Sequence, residues 1–455
     1  MKKIGTIILA IMMIAMVGLA HADTGDNLIP NAGKINVTSG GTVTFEKTII
    51  LFNDQSLQVF EPNIVYTYTI EAVTAATTTT VTDSSNNTVH VYDGTPVAVT
   101  GTDSVVTSNT ASATFATNNG LKDAAAAGSQ DTKQVSFDFD ATKFPHAGIY
   151  RFKITETAAA ASLTTTSDAL VAAGIERPSA YIASKNLDVY VKNGTSGLEI
   201  YGFVMFDDSE PASESITTAD EISGNEAKKS SGFTPGGPSS STDPTDFTSD
   251  TYCDHYKTIN LTVEKQVAGS LGDTTNEFPF TYTLTLPAAI KTAVKYDYTQ
   301  SGASGRTSVD IAANASGSET STVGVVDGNT SALNLKHADT FQIIGVPFGT
   351  SFSINERNNT HDKYSTTATG TNMTVTGGEA QDFTASSVLG TAIGGTETNT
   401  TTWASGENKI TITNTLAEVS PTGYVTRFAP YALILVGGIL LLIIAMKRKG
   451  HKEEE

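Results

Sequence analysis

Cysteine is almost missing from this chain. Cys253 stands alone among 455 residues, so no internal disulfide is available to staple the fold. Positive charge is scarce too: Asp and Glu outnumber Lys and Arg by 47 to 28, and no basic run occurs away from the two ends. Nothing there would neutralise a phosphate backbone, which argues against nucleic acid as a partner. The seven histidines are scattered, none in an HExxH pattern or beside a cysteine at metal spacing. GPSSSTDPTD carries oxygen ligands without the order of a calcium loop, and GTSFS is not the GxSxG of a hydrolase. No glycine loop precedes a helix to cradle a phosphate, so neither a metal nor a cofactor is expected. No long window repeats apolar residues at three and four, which excludes a helical bundle.

What is present is alternation. VTFEKTIIL, VYTYTIEAV, VSFDFD, IYRFKITE, LDVYVK, INLTVEKQV, FPFTYTLTL, FSINE and KITITNT are short, β-branched or aromatic at every second position, and bounded by Gly, Asn, Asp or Pro. Such runs predict an all-β chain of sandwich domains. ETAAAASLTTTSDALVAAG is the one stretch that suits a short helix. Residues 229–250 are dense in Ser, Pro, Gly and Asp and read as a loop, after which strand-like sequence resumes. The reading divides the chain into a first domain, 23–256, and a second, 257–418. The polar, Thr-rich stretch 71–135 reads as an insertion decorating the first.

Both ends are apolar. Residues 1–22 run from Lys2 and Lys3 through an apolar core to Ala20-His21-Ala22, the pattern of a cleaved export signal. Residues 431–446 form a second apolar run followed by Lys447, Arg448 and Lys449, which reads as a membrane span with a basic stop in the tail 419–455. The part from 23 to 422 holds 21 basic and 44 acidic residues, a formal charge of −23 that suits an extracellular surface.

The chain also repeats itself: VTFEKTII then VYTYTIEA recurs as LTVEKQVA then FPFTYTLTL, and FPHAGIYRFKITE recurs as GVPFGTSFSINE. Period two puts Val43, Phe45, Lys47, Ile49 and Leu51 on one face, and likewise Leu261, Val263, Lys265 and Val267. Tyr150, Phe152, Ile154 and Glu156 share a face, as do Phe352, Ile354 and Glu356. Ile410, Ile412 and Asn414 do the same near the end, and Tyr252, Asp254 and Tyr256 before the junction. Each half thus aims a lysine, a glutamate and an amide or carboxyl group at its core: Lys47, Glu156, Asp254 and Lys265, Glu356, Asn414.

An isolated buried charge is expensive, and burial favours the neutral amine and the neutral acid. A neutral lysine against the Asn414 carbonyl can attack it, with Glu356 hydrogen-bonded to the carbonyl oxygen; ammonia leaves and a Lys–Asn bond remains. With Asp254 the leaving group is water, and the carboxyl group must be protonated when attacked. Each reaction happens once within one chain, so neither makes the protein an enzyme. The same pattern also fits ordinary buried salt bridges, or lysines that snorkel to the rim of their strands.

Over most of residues 40–423, leaving out 71–135, these motifs resemble the sortase-assembled backbone pilins of Gram-positive bacteria, the T-antigen type with self-formed isopeptide bonds. LTVEKQVAGSLGD, FPFTYTLTL, VPFGTSFSINE and ITITNTLAEVSPTG carry the likeness best. The resemblance implies tandem immunoglobulin-like (Cna B-like) sandwiches, with bonds Lys47–Asp254 and Lys265–Asn414 and with Glu156 and Glu356 as the catalytic carboxylates. Asp254 stands where the family favours Asn. It further implies a sorting motif at Val419, Ser420, Pro421, Thr422 and Gly423, cut between Thr422 and Gly423; the common form has proline at the second position, where this chain has Ser420. The expected partners are a sortase, neighbouring pilin subunits and peptidoglycan, with a host surface or matrix as a further candidate. The lysine that accepts the next subunit is expected at Lys228 or Lys229, with Lys185 and Lys192 as rivals. A monomeric wall-anchored adhesin with the same domains is the alternative.

Overall fold

The computed structural model describes residues 36–38, 41–73, 79–82, 88–92, 97–207, 230–235, 246–313, 320–323, 333–357, 364–371, 375–378, 382–389, 407–416 and 421–450. The expected export signal, Lys228, Lys229, Val419 and Ser420 lie outside them.

The chain is all-β, and its strands follow from alternation. In Phe278–Thr285 buried and half-buried residues alternate without a break, which places one apolar face on a core and a Thr-rich face toward solvent. The first domain begins with β1 (Thr42–Asn53), β2 (Ile64–Ala72), β3 (Thr110–Phe115), β4 (Ser129–Asp138) and β5 (Gly148–Ala159). A short helix α1 (Thr166–Ala172), β6 (Ile175–Glu176), the hairpin β7 (Ser184–Gly194) and β8 (Gly197–Asp207), and β9 (Gly232–Phe233) complete it. One sheet pairs β1 with β4 and β9; the facing sheet runs β8-β7-β5-β2-β3. Val43, Phe45, Ile49, Tyr68, Phe137 and Phe152 fill the space between them.

The second domain is threaded by β10 (Asp254–Ala268), then β11 (Phe278–Thr285), β12 (Val294–Gln300), β13 (Thr340–Pro347), β14 (Ser351–Arg357), β15 (Ser365–Thr371), β16 (Asp382–Val388) and β17 (Lys409–Thr415). β10 is one unbroken strand shared by both domains. Its start pairs in parallel with β1, and its remainder pairs with β13 and in parallel with β17. Tyr256 packs in the first core and Ile259 in the second. β11, β14 and β16 make the facing sheet of the second domain.

Several expectations change in this light. The stretch 71–135 supplies β3 and most of β4, which lie inside the two sheets, and buries Val105, Val106 and Phe115. Its Thr-rich outward faces explain why it reads as decoration. The loop 229–250 contributes β9, whose Phe233 enters the core, and Phe247, which covers Ile50 and Phe52. Tyr252 does not share the inward face of Asp254: it precedes the strand and is exposed. Residues 431–446, read as a membrane span, lie within α2 (Pro421–Gly450) with exposed apolar side chains. Among the described residues no helix is long and apolar enough to cross a membrane.

Candidate functional site

Two buried clusters occupy equivalent places in the two domains. In the parallel pair β1·β10, Ile49 lies opposite Asp254, so the partner residue sits across from the position two beyond Lys47. In β10·β17, Val267 lies opposite Asn414, again two beyond Lys265. The carboxylates come from the facing sheets, Glu156 opposite Tyr68 and Glu356 opposite Phe280. All six expected residues are buried, and side-chain contacts link the members of each trio.

The second cluster is sparse. Lys265 Nζ lies 3.0 Å from Glu356 Oε2 and 4.5 Å from the centre of the Phe278 ring. Asn414 Nδ2 donates to the other oxygen, Glu356 Oε1. One carboxylate therefore spans the lysine nitrogen and the amide nitrogen. Thr366, on β15, donates its hydroxyl to Asn414 Oδ1 at 2.8 Å. The contact expected of Glu356, to the carbonyl oxygen, is made by Thr366 instead. Burial pushes the Lys265 amine down to about 8, against the opposing pull of Glu356.

The first cluster is crowded with charge and hydroxyl groups. Lys47 Nζ reaches Asp254 Oδ2 at 2.8 Å, the Tyr181 hydroxyl at 2.8 Å and Glu156 Oε2 at 3.3 Å, with the Tyr66 ring centre 4.0 Å away. Arg177, just after β6, donates Nε to Asp254 Oδ1 and Nη2 to Asp254 Oδ2, both at 2.7 Å, and Nη2 also to Glu156 Oε1 at 2.6 Å. Tyr66 donates to Asp254 and Tyr68 to Glu156, each at 2.8 Å, and Tyr181 donates to Glu156 at 2.6 Å. Burial alone would raise Asp254, but the Lys47 charge and the hydrogen bonds and charge of Arg177 outweigh it and hold the carboxyl well below its usual range.

Sequence reasoning missed Arg177, Tyr181 and Thr366. It missed the Tyr66 and Tyr68 hydroxyls as well: strand register puts Tyr68 opposite Glu156 where Phe280 stands opposite Glu356, whereas matching VYTYT to FPFTYT by sequence sets Tyr68 on Tyr282. Arg177 follows a short helix, where no periodicity points at it. Of the rival acceptor lysines, Lys185 is buried, with its nitrogen 5.3 Å from the Phe233 ring centre, and so is not an accessible donor. Lys192 is half-exposed and pairs with Glu199 at 3.2 Å. Pro421, Thr422 and Gly423 fall in the first turn of α2. Among the described residues, no group of histidine, cysteine or carboxylate side chains is placed to hold a metal ion.

A protein-family model described as a domain of unknown function, DUF7601, matches residues 259–388, most of the second domain. No curated protein matches the chain. Among solved structures it is similar to the major pilin of Streptococcus pyogenes, at 18% identity and TM-score 0.37, covering 84% of this chain and 100% of that one. A bacterial adhesin from Mobiluncus mulieris containing intramolecular disulfide, isopeptide and ester cross-links is similar at 12% identity and TM-score 0.21, over 84% of this chain and 100% of that one.

Proposed function

We propose that the chain is the backbone subunit of a sortase-assembled, wall-attached pilus, and that its second domain is closed by a Lys265–Asn414 isopeptide bond. The observation that carries this is Glu356 bridging the attacking and departing nitrogens in a buried site, Lys265 on one oxygen and Asn414 on the other. The neutral Lys265 amine attacks Asn414 Cγ. Thr366 donates to the oxygen on which negative charge develops, and Glu356 takes the proton shed by Nζ and passes it to Nδ2. The C–N bond to Lys265 forms, the C–Nδ2 bond breaks, and ammonia leaves.

Two domains without a disulfide, strung on one continuous strand, suit a fibre under tension. Sortase cleavage between Thr422 and Gly423 would discard the apolar helix and join Thr422 to a lysine of the next subunit, with peptidoglycan as the final acceptor. Lys228 or Lys229 remains the proposed acceptor lysine. The alternative, a monomeric wall-attached adhesin, shares every feature except polymerisation.

Peptide mapping of the purified chain tests the bond: a branched peptide joining Lys265 to Asn414, one ammonia lighter than its parts, is expected, and Glu356→Ala should abolish it. Separate linear peptides from the native protein would leave only a salt bridge. Cell-wall extracts boiled in detergent should give a ladder of high-mass bands, whereas a single band would favour the adhesin.

A further inference from the structure

We propose that Arg177 decides the fate of the first site, holding Asp254 as a carboxylate so that the first domain is locked by ions while the second is locked by a covalent bond. The proposal rests on the cross-linking chemistry read for Lys265 and Asn414, and it replaces the Lys47–Asp254 bond that the repeat implies.

The two sites share strand register, lysine, glutamate and aromatic wall, so the difference between them is chemical. Condensation of an amine with a carboxylic acid forms the C–N bond, breaks a C–OH bond and releases water. It therefore needs a proton on the acid and a lone pair on the amine. Asp254 has neither room nor reason to hold that proton. Its oxygens accept from Lys47, from Tyr66, and twice from Arg177 in the forked geometry that fits a carboxylate. The Lys47 nitrogen, for its part, donates to Asp254 and Tyr181 and lies 3.3 Å from Glu156, so two carboxylates face it, which is the environment of an ammonium ion.

Charge counting gives the same answer. Lys47 and Arg177 balance Asp254 and Glu156, so the first site is neutral with every group ionised. The second site has one cation, one anion and a neutral amide: Lys265, Glu356 and Asn414. Arg177 thus stands in for the one proton that would make the sites equivalent. Without it, a buried cluster of Lys47, Asp254 and Glu156 carries an uncompensated negative charge, and burial then favours uptake of that proton. The two sites would match in charge, and Asp254 would become an acid open to attack.

The test is peptide mapping of the full chain and two variants. Native protein should yield the Lys265–Asn414 branched peptide and no peptide joining Lys47 to Asp254. Arg177→Gln should acquire the Lys47–Asp254 link with loss of one water. Asp254→Asn, which needs no proton to be attacked, should acquire a Lys47–Asn link with loss of one ammonia. A native Lys47–Asp254 link overturns the proposal, as does a folded Arg177→Gln protein without the link. If Arg177→Gln does not fold, Asp254→Asn decides: a link supports ionisation as the barrier, and a folded, unlinked variant overturns it. Absence of the Lys265–Asn414 peptide would instead be the failure of the cross-linking chemistry, read from different residues.

Discussion

At Asn414 the side chain is gripped from two directions, Thr366 on the oxygen and Glu356 on the nitrogen. Removing the hydroxyl with Thr366→Val keeps the volume and deletes the donor at the oxygen where charge accumulates. Such donors are worth roughly a hundredfold in rate, so the variant should be isolated partly unlinked and finish the bond slowly in the tube. That slow reaction also exposes the protonation of the nucleophile. Burial pushes the Lys265 amine down to about 8, and only the neutral amine attacks. The rate followed by mass should therefore climb as pH rises from 6 toward 8 and flatten above; a rate independent of pH would rule out a free amine as the attacking form. Which residues face inward was readable because period two fixes the face of a strand once one buried neighbour is known. Thr366 escaped notice because STTATGT offers a hydroxyl at nearly every position and no pattern to rank them. Arg177 escaped because it belongs to a connection, where the fold and not the local sequence aims the side chain.

Among the elements, β10 matters most, since a single strand serves two cores and the junction must be polar yet dry. Asn53 and Asn260 exchange amide hydrogen bonds of 2.8 and 2.9 Å there, and Asp54 accepts from the Asn260 backbone at 2.9 Å and from Asn408 at 2.7 Å. Burial, outweighing those hydrogen bonds, pushes Asp54 up to about 7. A raised carboxyl stabilises the fold when protonated, so its contribution is whole below the ordinary aspartate range, shrinks as pH rises, and is gone above about 7. Between pH 5 and 7 the loss is about 2–3 kcal/mol. Relative to Asp54→Asn, the native unfolding temperature should fall over that interval and then run parallel; parallel curves throughout would show that Asp54 is ionised at pH 5. The end of the same strand depends on Gly269, at φ +88°, where an added Cβ would lie 2.1 Å from the Leu416 carbonyl oxygen. Gly269→Ala should cost on the order of 2–4 kcal/mol, from combined left-handed strain and backbone clash; a change below about 0.5 kcal/mol in denaturant unfolding would mean that β17 moves aside. Long alternating runs such as FPFTYTLTL were legible as strands. Two-residue strands like Gly232–Phe233 were not, because two residues have no period.

Across the whole molecule, the proposed bond joins β10 to β17 near the end where the next subunit would pull. Force entering through β17 would cross from Asn414 to Lys265 and continue along β10 into the first domain, bypassing the strands between. The same bond closes a loop of roughly 150 residues, for which chain entropy alone gives about 5 kcal/mol. A domain of this size loses about 2–4 °C for each kcal/mol. Lys265→Met fills the slot beside Phe278 with an unbranched apolar chain and cannot form the bond, so packing is largely kept while the covalent tie is lost. It should unfold about 10–20 °C below the native chain and become open to trypsin within the second domain, with the first domain's resistance unchanged. The first domain, held by Arg177, Lys47, Glu156 and Asp254, should respond oppositely to conditions. Its ions lose their grip only when acid protonates Asp254, which is held well below the ordinary carboxylate range, whereas an amide bond is indifferent to that change. Scanning calorimetry from neutral pH down to about pH 2 should therefore show one transition sinking with acid and one holding its place; two transitions that sink together would mean that neither domain is covalently closed.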